Sequence, residues 1–156
     1  MRRLLIYVDA SVVGGCEDEE FSEDSLSLWR LFISGEYIMG VSEHTLRELA
    51  GAPESVRLHL QEVPEDHRIS IVDNEEAYAL AEAYLAHRVV GPGSHADALH
   101  VALATVMGAD VLVSWNFKHI VNLGRIRLFN AVNMEMEYRT IEIRSPKEVL
   151  RNEENV

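Results

Sequence analysis

"LLIYVDAS", residues 4–11, decides the architecture of this chain. Five apolar residues run without interruption into Asp9. A strand covered on one face alternates apolar and polar residues, whereas a strand covered on both faces reads as a continuous apolar run. Residues 4–8 therefore predict a central strand in a sheet with helices on each side. Asp9 ends that strand where desolvation of a carboxylate is costly unless it is capped, paired or bound to a cation. Two uses stand open for it: capping the next backbone turn, or holding a metal. The preceding basic pair Arg2–Arg3 raises the thought of a secretory leader. Asp9 breaks the apolar run and no small-residue cleavage site follows, so a buried first strand is expected instead.

Outward from that strand, helical and strand patterns alternate. "GCEDEEFSEDS" (15–25) is acidic and reads as a mobile loop, with Gly14 and Gly15 at its start. Residues 25–35 predict a helix with Leu26, Trp29, Leu31 and Phe32 inward and Gly35 as its stop. A second strand, "YIMGV", leads to Ser42, a good N-cap for a helix in which Leu46 and Leu49 are expected to be buried. Glu43 and Arg47 are spaced as an i,i+4 pair on its solvated side. Pro53 opens another short helix and Pro64 closes it. "RISIV" reads as the third strand, followed by a long helix with Asp73 and Glu76 in capping-box spacing. After "GPGSH" comes the helix "ADALHVALATVMG", then the fourth strand "ADVLVS", a partly helical stretch over 120–136, and "YRTIEI" as a fifth strand. "SPKEVL" carries a serine cap, a proline at the first helical position and a glutamate three residues after the cap. The order predicts a three-layer α/β fold with a mostly parallel central sheet of four or five strands flanked by helices. One domain over 1–150 and a frayed tail over 151–156 are expected.

The bulk composition narrows the chemistry. At 156 residues, 47% hydrophobic and 26% charged, the chain can bury a core without staples. A single cysteine, Cys16, excludes an intrachain disulfide and a multi-cysteine metal site, and suits a reducing, cytoplasmic setting. No stretch approaches a transmembrane span. Fourteen Lys and Arg stand against 26 Asp and Glu, a formal charge of −12. Such a balance does not steer a polyanion by long-range attraction. Either the substrate is not a polyanion, or metal and a local basic patch bring it in, or the charge serves a cationic protein. "GPGS" lacks the lysine of a phosphate loop, "ASVVGG" after the first strand lacks dinucleotide-binding spacing, and no His-Cys cluster suggests zinc.

In a parallel α/β sheet the ligand crevice lies outside the carboxyl ends of the strands. Asp9 ends the first strand and "SWNFKH" (114–119) ends the fourth, so both fall on that edge. Asp97 opens a helix directly after "GPGSH", where capping competes with a place in the crevice. Glu48 borders the buried side of its helix, and His100 reads as a packed or supporting histidine. His44, His59, His67 and His87 read as structural or surface residues. Asp110 enters the fourth strand at the far end. The amide oxygen of Asn116 can receive water or a cation. A dispersed set of carboxylates calls for a hard cation with oxygen ligands.

"YVDAS", "SEHTLRELA", "HADALHVALAT" and "GADVLVSWNFKHI", in that order and spacing, resemble the motifs of PIN-domain proteins, nearest the VapC-type toxins of bacterial toxin–antitoxin pairs. The resemblance spans roughly residues 4–143. It implies a PIN-like fold and an endoribonuclease, dependent on Mg²⁺ or Mn²⁺, acting on single-stranded or structured RNA. The family's acidic positions fall on Asp9, Glu48 and Asp97, and the position after the fourth strand, often aspartate, is Asn116 here. These four would be catalytic and hold metal, with Asp110 auxiliary. Ser11 and Ser114 would help position phosphate or water, Lys118 would contact phosphate, and Trp115 or Phe117 would stack on a base unless they pack beneath the loop. The resemblance further implies a homodimer and, in the toxin branch, a cationic antitoxin seated in the acidic groove. Cleavage would leave a 3′-hydroxyl and a 5′-phosphate. Two rivals stand beside this: a receiver-like phosphoacceptor domain, poorly served by one aspartate after the first strand, and a catalytically silent PIN domain that binds protein.

Overall fold

The computed structural model describes residues 2–154. Five strands form one sheet in the order β3-β2-β1-β4-β5, and all four pairings are parallel. They are β1 (Leu5–Val8), β2 (Ile38–Ser42), β3 (Arg68–Ile71), β4 (Val111–Val113) and β5 (Glu142–Arg144). The three-layer α/β architecture is thus observed. β1 lies at the centre, with Tyr7 paired to Gly40 of β2 and Leu112 of β4. The chain winds outward on one side through β2 and β3 and on the other through β4 and β5. That reversal opens a crevice at the carboxyl end of β1.

Alternation along the strands feeds two cores. Tyr7 and Leu112 point to one face, where α5 (Glu75–Ala86), α6 (His95–Val106) and α7 (Leu123–Glu135) bury Leu80, Tyr84, Leu103 and Phe129. Ile6, Val8 and Val113 point to the other, against α1 (Ala10–Gly15), α2 (Ser22–Ser34), α4 (Glu54–Gln61) and α8 (Pro146–Glu154). The short α3 (Glu43–Leu49) sits between β2 and the crevice. Among the described residues no helix is long and apolar enough to cross a membrane.

Local chemistry explains the boundaries. Gly35 ends α2 at φ 82°, a left-handed turn that a Cβ would oppose. Ser42 caps α3 by accepting from the Thr45 amide. At α8 the capping box is complete: Ser145 accepts from the Glu148 amide and Glu148 accepts from the Ser145 amide. That helix runs through Glu154, and the end of the tail expected to fray, Asn155 and Val156, lies outside the described residues.

Several expectations are corrected. Gly14 and Gly15 close the helix α1 rather than opening a loop, and the turn after it is held by Asp18 accepting from the Glu20 and Phe21 amides. In α2, Leu26 and Leu31 do pack against the core, partly buried, but Leu28 is an addition, fully buried beside Trp29 and Phe32. Leu46 is 47% exposed, because α3 turns His44, Thr45 and Leu49 inward instead. Asn74, not Asp73, caps α5, since Asp73 is drawn away to Arg47 and Tyr78. Arg47 therefore pairs with Asp73, and Glu43 accepts from the Asp73 amide, in place of the expected Glu43–Arg47 pair. β5 begins at Glu142, later than the stretch "YRTIEI" suggests.

Candidate metal centre

Asp9 is the hub of the crevice. It leaves β1 in extended backbone and caps α1, its Oδ1 accepting from the Val12 amide at 3.2 Å and from Ser11 Oγ at 2.6 Å. Its Oδ2 accepts from Ser114 Oγ at 2.6 Å. With Asp9 only 4% exposed, these donors are what make a carboxylate tolerable at the end of a buried strand. Capping and membership of the site are therefore compatible in Asp9.

The same serines lace β4 to β1. Ser11 Oγ accepts from the Trp115 amide at 2.9 Å, and Ser114 Oγ accepts from the Asn116 amide at 2.9 Å. Asn116 then reaches α6: its Nδ2 donates to Asp97 Oδ1 at 3.1 Å, and its Oδ1 accepts from the His119 amide at 2.9 Å. The amide oxygen thus faces the backbone, and the amide nitrogen faces the carboxylate. Asp97 sits in the first turn of α6, half-buried. Burial raises its pKa above the ordinary aspartate value, and the charges of Asp9 and Glu48 push it the same way, against His119 and His100. Asp9, Glu48 and Asp97 therefore share one electrostatic neighbourhood although they are 39 and 49 residues apart in turn.

Glu48 is held from the opposite wall. His100 Nε2 lies 2.5 Å from Glu48 Oε1, and His44 Nε2 lies 4.0 Å from Oε2. Burial alone would raise the Glu48 pKa; the His100 hydrogen bond and the His100 and His44 charges outweigh it and leave the carboxyl below its usual range. The His44 imidazole is lowered, first by burial and then by His100. His100 is 2% exposed and anchored through Nδ1 to the Tyr7 hydroxyl at 2.7 Å. The ligand-capable atoms of His44, Glu48 and His100 all lie within 4.8 Å of one another. His100 and His44 thus border the site directly, a closeness that depends on α3 meeting α6 and leaves no mark in local sequence. His119 is a further neighbour of Asp97, and its buried Nδ1 has no partner among the described residues.

The remaining candidates separate. Trp115 is buried, stacked on Phe21 at 4.3 Å, and donates through Nε1 to Ser25. Phe117 is 50% exposed and Lys118 is exposed at the rim. A cavity of about 410 Å³ beside Asn116 is lined by Ser11, Gly14, Gly15, Asp18, Phe21 and Trp115. Asp110 is a correction: it accepts from the Leu5 amide at 2.8 Å and pairs with Arg2 at 2.7 Å, at the amino end of β4 and so across the sheet from the crevice. Burial, helped by the charges of Glu62 and Glu17, pushes the Cys16 thiol up to about 12, which keeps it protonated.

The donor set fits a divalent cation. Burial first, and the charges of Asp9 and Glu48 after it, hold Asp97 above its ordinary range, and a cation among these carboxylates would offset both costs.

No protein-family model matches the sequence, and no curated protein matches it. In fold the chain is similar to VapBC2 of Rickettsia felis, solved with a DNA fragment from its promoter, at 13% identity over 91% of this chain and 98% of that one, TM-score 0.59. It is also similar to FitAcB of Neisseria gonorrhoeae, at 14% identity over 90% and 97%, TM-score 0.54. A third likeness is to VapC20 of Mycobacterium tuberculosis, a sarcin–ricin-loop-cleaving toxin, at 16% identity over 69% and 86%, TM-score 0.52. At such identities the likeness is one of fold, and the fold is PIN-like.

Proposed function

We propose that the chain is a divalent-metal-dependent endoribonuclease of the VapC kind. The observation that carries this is the meeting of Asp9, Glu48 and Asp97 at the strand-end crevice, with Asp9 tied to Asp97 through Ser114 and Asn116 and Glu48 held by His100 of the helix that carries Asp97. Asp9, Glu48 and Asp97 would hold Mg²⁺ or Mn²⁺. The ion, when bound, lowers the pKa of a water and offsets charge building on the phosphate.

The chain's own residues do the placing. Ser11 and Ser114 fix the two oxygens of Asp9, and Asn116 fixes one oxygen of Asp97. Asp97, fixed by Asn116 beside the crevice, would also orient an attacking water once Asp9 and Glu48 are engaged. Lys118 at the rim supplies a mobile positive charge for a phosphate. The exposed Phe117 ring offers a stacking surface for an unpaired base, a role that the packed Trp115 leaves to it. The formal charge of −12 suits a cationic protein partner that covers the crevice, as an antitoxin would, and the working unit is proposed to be a cytoplasmic homodimer.

One observation favours the silent, protein-binding alternative: the Asn116 amide oxygen is taken by the His119 amide, and both Asp9 oxygens already accept hydrogen bonds. The deciding experiment incubates purified protein with a pool of structured and single-stranded RNAs and Mn²⁺ or Mg²⁺. Cleavage should stop with EDTA and fall at least ~100-fold in Asp9→Asn, about 2.7 kcal/mol of transition-state stabilisation. Cleavage that survives the substitution marks a contaminant, and no cleavage across the pool favours the binding module.

A further inference from the structure

We infer that His44, Glu48 and His100 form a second metal position, of transition-metal character, that shares Glu48 with the carboxylate site. It rests on the nuclease proposal only through that shared carboxylate.

The geometry is close to a ligand set. The three donors lie within 4.8 Å of one another, and the Glu48 side chain is 35% exposed, so an ion can enter from the crevice. Two imidazoles and one carboxylate suit Zn²⁺ or Co²⁺ better than Mg²⁺, which prefers an all-oxygen shell with several waters. Three protein ligands also leave a fourth position open. His44 would exchange its hydrogen bond to the Ala96 carbonyl, 3.1 Å, for a bond to the ion.

A buried hydroxyl chain behind His100 gives the second reason. Tyr7 Oη lies 2.7 Å from His100 Nδ1 and 2.8 Å from Ser42 Oγ; Ser42 Oγ lies 3.2 Å from Thr45 Oγ1, which donates to the Val8 carbonyl at 3.2 Å. In the neutral tautomer protonated on Nε2, His100 would donate to Glu48 and accept at Nδ1 from Tyr7. With metal on Nε2, the ring proton sits on Nδ1 and is donated to the Tyr7 oxygen. Tyr7 then donates to Ser42, Ser42 to Thr45, and Thr45 still to Val8. Every hydroxyl donates once in both states, so the imidazole can change tautomer without moving a heavy atom of the chain. Metal-ligating histidines are commonly oriented through the other ring nitrogen in this manner.

The test is calorimetric titration of the metal-stripped full chain with Zn²⁺, and separately with Mg²⁺. Wild type is expected to bind Zn²⁺ more tightly than Mg²⁺. His44→Gln should weaken Zn²⁺ by at least ~10-fold, the lower end of what losing even an outer partner of a metal ligand costs. Asp97→Asn should weaken Mg²⁺ while changing Zn²⁺ only a few-fold. No Zn²⁺ binding by wild type overturns the inference. So does equal Zn²⁺ affinity in wild type and His44→Gln, which would place the ion elsewhere, for instance at His59 between Glu17 and Glu62. Should His44→Gln fail to fold, NMR of wild type with Co²⁺ decides: two paramagnetically shifted imidazole N–H signals support the site, and their absence overturns it. RNA cleavage does not enter, so Zn²⁺ bound by a protein that cuts nothing supports this site while counting against the nuclease.

Discussion

Gly15 is where the helix after Asp9 meets the loop that carries Asn116, and replacing it by alanine should damage both. A Cβ there would stand 2.5 Å from Ser25 Oγ, 2.8 Å from Trp115 Nε1 and 3.1 Å from Trp115 Cδ1. Neither neighbour yields cheaply: Ser25 is fully buried, and Trp115 is stacked on Phe21 and bonded to Ser25. Overpacking of this kind costs about 1–3 kcal/mol. Breaking the buried Ser25–Trp115 hydrogen bond adds about 1–3 kcal/mol. The better helix propensity of alanine returns at most about 1 kcal/mol. Gly15→Ala should therefore destabilise by about 1–6 kcal/mol. Gly14 is the control in the same turn: a Cβ there would meet nothing within 4 Å, so Gly14→Ala should be neutral or up to about 1 kcal/mol stabilising. Urea unfolding of both variants, extrapolated linearly to water, reads the difference. Equal midpoints for the two alanines would refute the close packing of α1 against Ser25 and Trp115.

Asp97→Asn should make the metal-free protein at least as stable as wild type at pH 7. The folded Asp97 holds its proton more tightly than the unfolded one, so its stabilising protonation is complete below the ordinary aspartate pKa of about 3.9 and is lost as pH rises through the raised folded value. The gap in melting temperature between mutant and wild type should accordingly close on acidification, and a mutant less stable at pH 7 would contradict the assignment. Asn116→Asp removes the Nδ2 donor and sets a new carboxylate against Asp97, so melting without metal should fall while the gain on adding Mn²⁺ grows; a variant with higher metal-free stability would count against this. Asp110→Ala orphans the Leu5 amide and should cost about 1–3 kcal/mol in urea unfolding with divalent-cation affinity unchanged, because it lies at the other end of the sheet.

What is legible in the sequence is local or periodic. The uninterrupted apolar run announces the doubly covered strand Leu5–Val8, though it also takes in Leu4, which lies outside the strand and exposed, and the Ser145–Glu148 box is complete within four residues. Asp9, Asp97 and Asn116 fall at strand ends and a helix start, so the fold alone delivers them to one edge. Long-range partners decide the rest. Asp73 has the spacing of a cap, yet Arg47 takes it, and Asn74 does the capping. α3 is only two turns long, too short for leucine spacing to define a buried face, and His44 turns in to the Ala96 carbonyl of α6 and Thr45 to the Val8 carbonyl of β1 while Leu46 stays outside. α1 is shorter still, with two glycines, and is marked only by the cap at Asp9, a residue that also belongs to the crevice. The Tyr7–His100–Glu48 chain joins residues 93 and 52 apart in sequence, and no local pattern announces it.

The convergence of Asp9, Glu48 and Asp97 on one divalent cation is tested most directly by anomalous diffraction from a crystal soaked in Mn²⁺. The expected result is a manganese peak in the crevice bonded to carboxylate oxygens of both Asp9 and Asp97, with Glu48 bound directly or through water, and the same peak absent from Asp97→Asn. Manganese found only at His44 and His100, or a peak that survives unchanged in Asp97→Asn, would contradict it.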